Sequence, residues 1–173
     1  MTKSLEELKA VLIEANKNGY AGDGLEIDPL LPDFKEHQHE HSSGHWITRD
    51  FNTGLYSASG FRMVWYDNKS YWMMIRGGGM TPSYVDLPKP GYDADDAFAK
   101  AVFRFQKKML RQAPEDMPVR GPLGSHTEGH FEYRNSVLGD LRNLIGQELI
   151  VYHERSSESI VYSLDYKAFL IPK

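Results

Sequence analysis

The chain is 173 residues long, carries 20 Lys and Arg against 24 Asp and Glu for a net charge of −4, and has no cysteine. A chain of this length fits one compact domain able to bury about 70% of its unfolded surface, and the missing cysteines exclude disulfide frameworks, thiolate metal sites and cysteine nucleophiles. The mildly acidic balance argues against direct nucleic-acid binding, which calls for a basic face, and no apolar run approaches the roughly 20 residues of a membrane span.

Ser4-Leu5-Glu6-Glu7 spells a capping box, in which Ser4 accepts from the Glu7 backbone and Glu7 reaches back. Leu5, Leu8, Leu12 and Ala15 follow at helical spacing, and Gly19 stands where a left-handed cap is wanted. Asp28-Pro29 and Leu31-Pro32-Asp33 then break regular structure, leaving a short strand around Leu25–Ile27 and an exposed polar loop through Glu36–His41. Three strands are expected next, at Trp46–Asp50, Phe61–Tyr66 and Ser70–Arg76, with Asp67-Asn68-Lys69 as a turn. The third is bulky on both faces, so it reads as central and covered on both sides, and Gly77-Gly78-Gly79 ends it.

Pro82, Pro88, Pro90 and Gly91 mark a connector. Acids at Asp93, Asp95 and Asp96 open a second helix with a buried stripe of Phe98, Val102, Phe105 and Met109. Lys107, Lys108 and Arg111 suit the negative end of its dipole. Strands at Phe131–Asn135, Leu149–Glu154 and Ser159–Phe169 follow, with Arg155–Glu158 as a turn. In the last, Ile160, Tyr162, Leu164 and Tyr166 alternate with Val161, Ser163 and Asp165.

The halves echo one another. His41, Gly44, His45, Arg49 and Gly54 recur as His126, Gly129, His130, Arg134 and Gly139, a shift of 126 − 41 = 85 positions. The expected fold is therefore α+β: an internally duplicated helix-plus-three/four-strand unit, with antiparallel sheet or sheets and two helices packed on one face. The domain reading is a single unit, residues 1–173, made of two repeats of about 1–80 and 92–173 with the connector 81–91 between them.

Val119-Arg120-Gly121-Pro122, Gly129-His130-Phe131-Glu132-Tyr133, Gly139-Asp140, Ile145-Gly146-Gln147-Glu148 and Val161-Tyr162, with Arg49-Asp50 and Trp72-Met73 in the first half, carry a family resemblance. The chain resembles an uncharacterised bacterial domain-of-unknown-function family, whose members stand alone or follow a helix-turn-helix repressor domain. The resemblance implies a sensing or regulatory context and brings no activity, cofactor or catalytic residue with it. This chain departs from the family pattern in placing a histidine, His45 and His130, after the repeated glycine.

The side chains open several chemistries. His37, His39 and His41 alternate, so an extended segment sets neighbours about 6.6 Å apart on one side, within reach of one zinc or copper ion. A solvated polar segment is the competing reading, and no metal or cofactor is assigned. The pairs His41/His45 and His126/His130 meet only if turns intervene, and His45 could otherwise meet His130 across the repeat. Arg49 and Arg134 can hold an anion bidentately or pair across strands, Arg134 for example with Glu132 or Glu148. The expected function is a cytoplasmic small-ligand-binding or sensing module, with Trp46, Arg49, Trp65, Trp72, Tyr133, Arg134 and Tyr162 as pocket or recognition residues. The alternatives are a protein–protein interaction domain using an aromatic sheet face, and a metal-dependent enzyme using the His37–His45 region.

Overall fold

A computed structural model describes residues 4–22, 24–54, 56–154 and 157–172. The chain runs through helix α1 (Leu5–Asn18), strands β1 (Leu25–Ile27), β2 (Lys35–Glu40), β3 (Trp46–Asn52), β4 (Gly60–Tyr66) and β5 (Lys69–Met80), then helix α2 (Asp95–Leu110). Strands β6 (Gly124–Glu128), β7 (Phe131–Asp140), β8 (Asn143–Glu154) and β9 (Ser157–Leu170) complete it.

All nine strands form one antiparallel sheet in the order β1-β2-β3-β4-β5-β9-β8-β7-β6. This overturns the expected duplicated helix-plus-three/four-strand unit: among the described residues 47% lie in strands, all in a single continuous sheet, and 20% in helices. The seam is β5 against β9, with nine residue pairs from Trp72↔Leu170 to Met80↔Tyr162, so no edge is left between the halves. The edges fall instead on β1 and β6, of three and five residues, and short edges offer little template for pairing with another chain.

Helix α1 begins on the Ser4/Glu7 capping box, both of whose hydrogen bonds form. It buries Leu8, Val11 and Leu12 against Trp46, Val64, Trp72, Met74, Tyr166 and Ala168. Leu8 and Leu12 are wholly buried, a gain of roughly 1.5–3 kcal/mol each. Gly19 closes the helix with φ −90°, not in the left-handed region; its N–H simply donates to Ala15. Helix α2 lays Phe98, Val102, Phe105 and Met109 on Phe131, Tyr133, Ile150, Tyr152, Tyr162 and Leu164.

Several local expectations are corrected. Glu36–Glu40 of the expected loop lie in strand β2, and Gly77-Gly78-Gly79 does not end β5, which continues to Met80. The outer side of β5 is not covered: Ile75 is 43% exposed. A register shift on β9 opposite Ile150/Val151 puts Val161 into the core beside Tyr162, breaking the expected alternation. Asp67 and Asn68 do make the turn between β4 and β5, both with positive φ. Of the expected turn Arg155–Glu158, Arg155 and Ser156 lie outside the described residues.

Cross-strand pairing sets a polar row inside the sheet. Asp50 pairs with Arg62, and Arg62 with Met74. Arg76, two residues beyond Met74, pairs with Tyr166, and Tyr166 with Gly146. Gly146 is required there, because the Tyr166 ring lies over it and an added Cβ would stand 2.3 Å from Cζ. Beyond them Glu148 pairs with Asn135. These buried polar residues lie between the two apolar clusters and form the floor of the site described next.

Candidate functional site

The buried floor consists of two ion clusters. Asp50 Oδ2 accepts from Arg62 Nε at 2.7 Å and Oδ1 from Arg76 Nη1 at 3.1 Å. Asn16 of α1 accepts from Arg62 Nη1 and donates to the Pro118 carbonyl, so the helix is pinned to the network. Glu148, wholly buried, takes a two-pronged contact from Arg120 Nε and Nη2, both at 2.8 Å. Tyr133 Oη donates to Glu148 Oε2 at 2.7 Å, and Gln106 Nε2 donates to Oε1 at 2.7 Å and to Tyr162. Burial alone would raise both carboxyl pKa values; Arg62 and Arg76 reverse this for Asp50, and Arg120 with Gln106 and Tyr133 for Glu148, so both stay below the usual range. Burial pushes the Tyr133 and Tyr162 phenols well above theirs, so both keep their protons.

Above this floor a cleft of about 480 Å³ opens between α2 and the β1–β3 end of the sheet, lined by Tyr20, Lys35, His37, Asn52, Phe103, Arg104 and their neighbours. Five cations line it, Lys35, Lys100, Arg104, Lys107 and Arg111, against one carboxylate, Glu26. Lys100 and Arg104 are exposed and pair with no carboxylate among the described residues. Lys107 Nζ sits 4.5 Å from the Tyr20 ring centroid, and Arg111 donates to the Ala21 carbonyl, tying the end of α1 to α2. His37 stands edge-on to Tyr20, with ring centroids 5.5 Å apart; burial lowers its pKa, with Asp50 and Glu26 opposing, so the imidazole is neutral at pH 7. Burial likewise raises the Tyr20 phenol.

A smaller pocket of about 10 Å³ lies deeper, sharing Tyr20, Asn52 and Gly54 with the cleft and adding Ala58, Arg76, Gln106 and Arg120. Its lining thus draws on both the cleft wall and the buried floor. A second hollow of about 710 Å³ is spread over the seam and β7–β8, among Ile75, Leu138, Ile145 and Lys167. It is wide and apolar. Leu138 is 72% and Ile145 53% exposed there.

The seven residues expected to recognise a ligand do not converge. Trp46 and Trp72 are buried in the α1 cluster, Trp72 donating to the Leu141 carbonyl at 3.0 Å. Tyr133 and Tyr162 share the Glu148 network. Arg49 pairs with buried Glu36 at 3.2 Å and lies 5.8 Å from the Trp65 ring. Arg134 forks onto Glu132, both contacts at 2.8 Å, and holds that carboxyl down to about 2.

The histidines are likewise distributed. Glu14 of α1 meets His39 Nε2 through one oxygen at 3.1 Å and His41 Nε2 through the other at 3.0 Å, while His37 approaches Glu26. His45 pairs with Asp67, and His130 bonds the His153 carbonyl, so the two do not meet. His126 bonds the Leu123 carbonyl. Among the described residues, Glu132, His153 and Glu158 are the group whose ligand atoms lie close enough for one ion, but the Arg134 fork already engages both Glu132 oxygens.

The cleft was missed in the sequence although a signal was present. Lys100, Arg104, Lys107 and Arg111 are spaced by four, three and four residues, which puts them within about 60° of one another on a helix. Reading only the last two, as partners of the dipole, hid the stripe.

Fold and cleft together define a class: a single-sheet antiparallel protein with a cationic cleft set on a buried ionic floor. The sequence matches the family described as domain of unknown function DUF5680 over residues 50–171, and the chain belongs to that family. No curated protein and no solved structure matches it. No helix among the described residues is long and apolar enough to cross a membrane.

Proposed function

We propose that the protein binds a small anionic ligand, a phosphate- or carboxylate-bearing molecule, in the cleft between α2 and β1–β3. The carrying observation is the cation stripe of α2 facing Lys35 across a concavity with aromatic walls, in a chain whose net charge is −4. Convergent cations in a partly enclosed hollow strengthen an anion contact, because water screens it less there than on an open surface. Tyr20 and Phe103 supply the apolar wall that small-molecule sites use for most of their contact area. A sensing role fits this arrangement, since the cleft is lined both by α2 and by Tyr20, which follows α1 in the chain.

The test is titration calorimetry with inorganic phosphate, pyrophosphate and citrate at low ionic strength. Saturable binding is expected, weakening at least about tenfold in the double variant Arg104→Glu with Lys100→Glu. Absence of binding by all three anions, or equal binding by the variant, would sink the reading. A protein–protein role is favoured by one separate observation, the exposed apolar run of Leu138, Ile145 and Ile75.

A further inference from the structure

The inner pocket beneath the cleft carries a chemical asymmetry. Glu148 is held as a carboxylate and can only accept, so the Gln106 edge facing it at 2.7 Å must be Nε2. That fixes Gln106 Oε1 on the opposite edge, where it is buried and has no hydrogen-bond partner. Gln106 is 1% exposed and lines the inner pocket together with Arg76 and Arg120. A second buried polar atom without a hydrogen-bond partner, His37 Nδ1, belongs to the cleft wall. Leaving a buried acceptor unsatisfied is unfavourable unless something donates to it.

The occupant must therefore donate to Gln106 Oε1 while tolerating two guanidinium groups beside it. An ammonium donates but is repelled by Arg76 and Arg120. A carboxylate suits the arginines and has no hydrogen to give, and a phosphate group is too large for a pocket of about 10 Å³. A hydroxyl does both, since its oxygen accepts and its hydrogen donates. The pocket holds about 10 Å³, room for one oxygen-sized group and no more.

We infer that the ligand of the cleft is a hydroxylated anion, whose charged group lies against the α2 stripe and whose hydroxyl enters the inner pocket to donate to Gln106 Oε1. This rests on the anion-binding reading above and adds the second recognition element. Gln106 then reads ligand identity, because a buried acceptor selects against an analogue that lacks the hydroxyl.

The probes are glycerol phosphate, propyl phosphate and inorganic phosphate, titrated against the whole protein. Glycerol phosphate is expected to bind at least about tenfold tighter than propyl phosphate. In Gln106→Met that ratio falls to near one. Equal binding of the two esters by the wild type overturns the inference and leaves the cationic cleft standing. Failure of all three to bind removes the cleft reading itself. Discrimination that survives in Gln106→Met places the hydroxyl elsewhere and overturns the assignment. Should Gln106→Met not fold, a structure of the wild type with glycerol phosphate decides: a ligand hydroxyl within hydrogen-bond distance of Gln106 Oε1 supports the inference, and one lodged elsewhere refutes it.

Discussion

Asp50 balances two arginines in a place water does not reach, with 3% of its surface exposed against 2% for Arg62 and 8% for Arg76. Replacing one member of such a cluster leaves its partners charged and unpaired, which costs about 3–5 kcal/mol. Asp50→Asn is expected to destabilise by that amount in urea unfolding, and Glu148→Gln to act in the same direction through Arg120. At the surface the relevant quantity is pH. Glu132 is held at about 2, first by its bonds with Arg134 and Ser125 and also by His153, against an ordinary value of 4.5. A depressed carboxyl contributes stability above about pH 4.5 that is lost as the pH falls toward 2. Arg134→Leu is expected to raise the Glu132 pKa in an NMR titration and to shrink that acid dependence. His37 has the opposite charge type and a lowered pKa. Below about pH 6.5 the unfolded chain takes the proton more readily, so stability present above that value is lost on acidification. His37→Gln should flatten the stability profile just below pH 6.5 in thermal melts.

At the scale of elements, β5 is the most informative strand. Gly78 lies at φ +147°, and an added Cβ would stand 2.1 Å from the Ser163 carbonyl oxygen across the seam; Gly77 would meet nothing within 4 Å. Gly78→Ala is therefore expected to lose at least about 1–3 kcal/mol, and Gly77→Ala to stay within about 0.5 kcal/mol, by chemical denaturation. The same strand shows what sequence reasoning can reach. Tyr71–Arg76 reads as a strand from its own composition, but three successive glycines read as an end, because what makes them strand is the distant edge of β9. Strand β2 was hidden for a related reason: Lys35–Glu40 has no apolar alternation, and its side chains are satisfied by Arg49 and by Glu14 of α1. Strand β6, Gly124–Glu128, is polar and largely exposed, so it too left no apolar trace. What local chemistry decides was legible: the Ser4 capping box, the Asp67-Asn68 turn and the Phe98–Met109 stripe. The cleft was not, since its walls come from elements far apart in the chain and its cations looked like ordinary helix decoration.

Over the whole molecule, a net charge of −4 coexists with five cations gathered in one cleft. The global field repels an approaching anion weakly while the local field attracts it, so association is expected to be strongly salt-dependent only at short range. Raising salt from 20 to about 150 mM should weaken inorganic phosphate binding several-fold, read by calorimetry. The seam has a consequence of another kind, in time. The pair Trp72↔Leu170 joins residues 170 − 72 = 98 positions apart, and β9 is also the only neighbour β8 has on that side. Until β9, paired to its sequence neighbour β8, meets β5, each half presents a long unpaired edge. Contacts this distant slow the search, which places refolding toward the millisecond-to-second end of small-domain rates. The seam is thus the contact that closes the sheet, and the interval before it forms is when the chain is most open to pairing with its own kind.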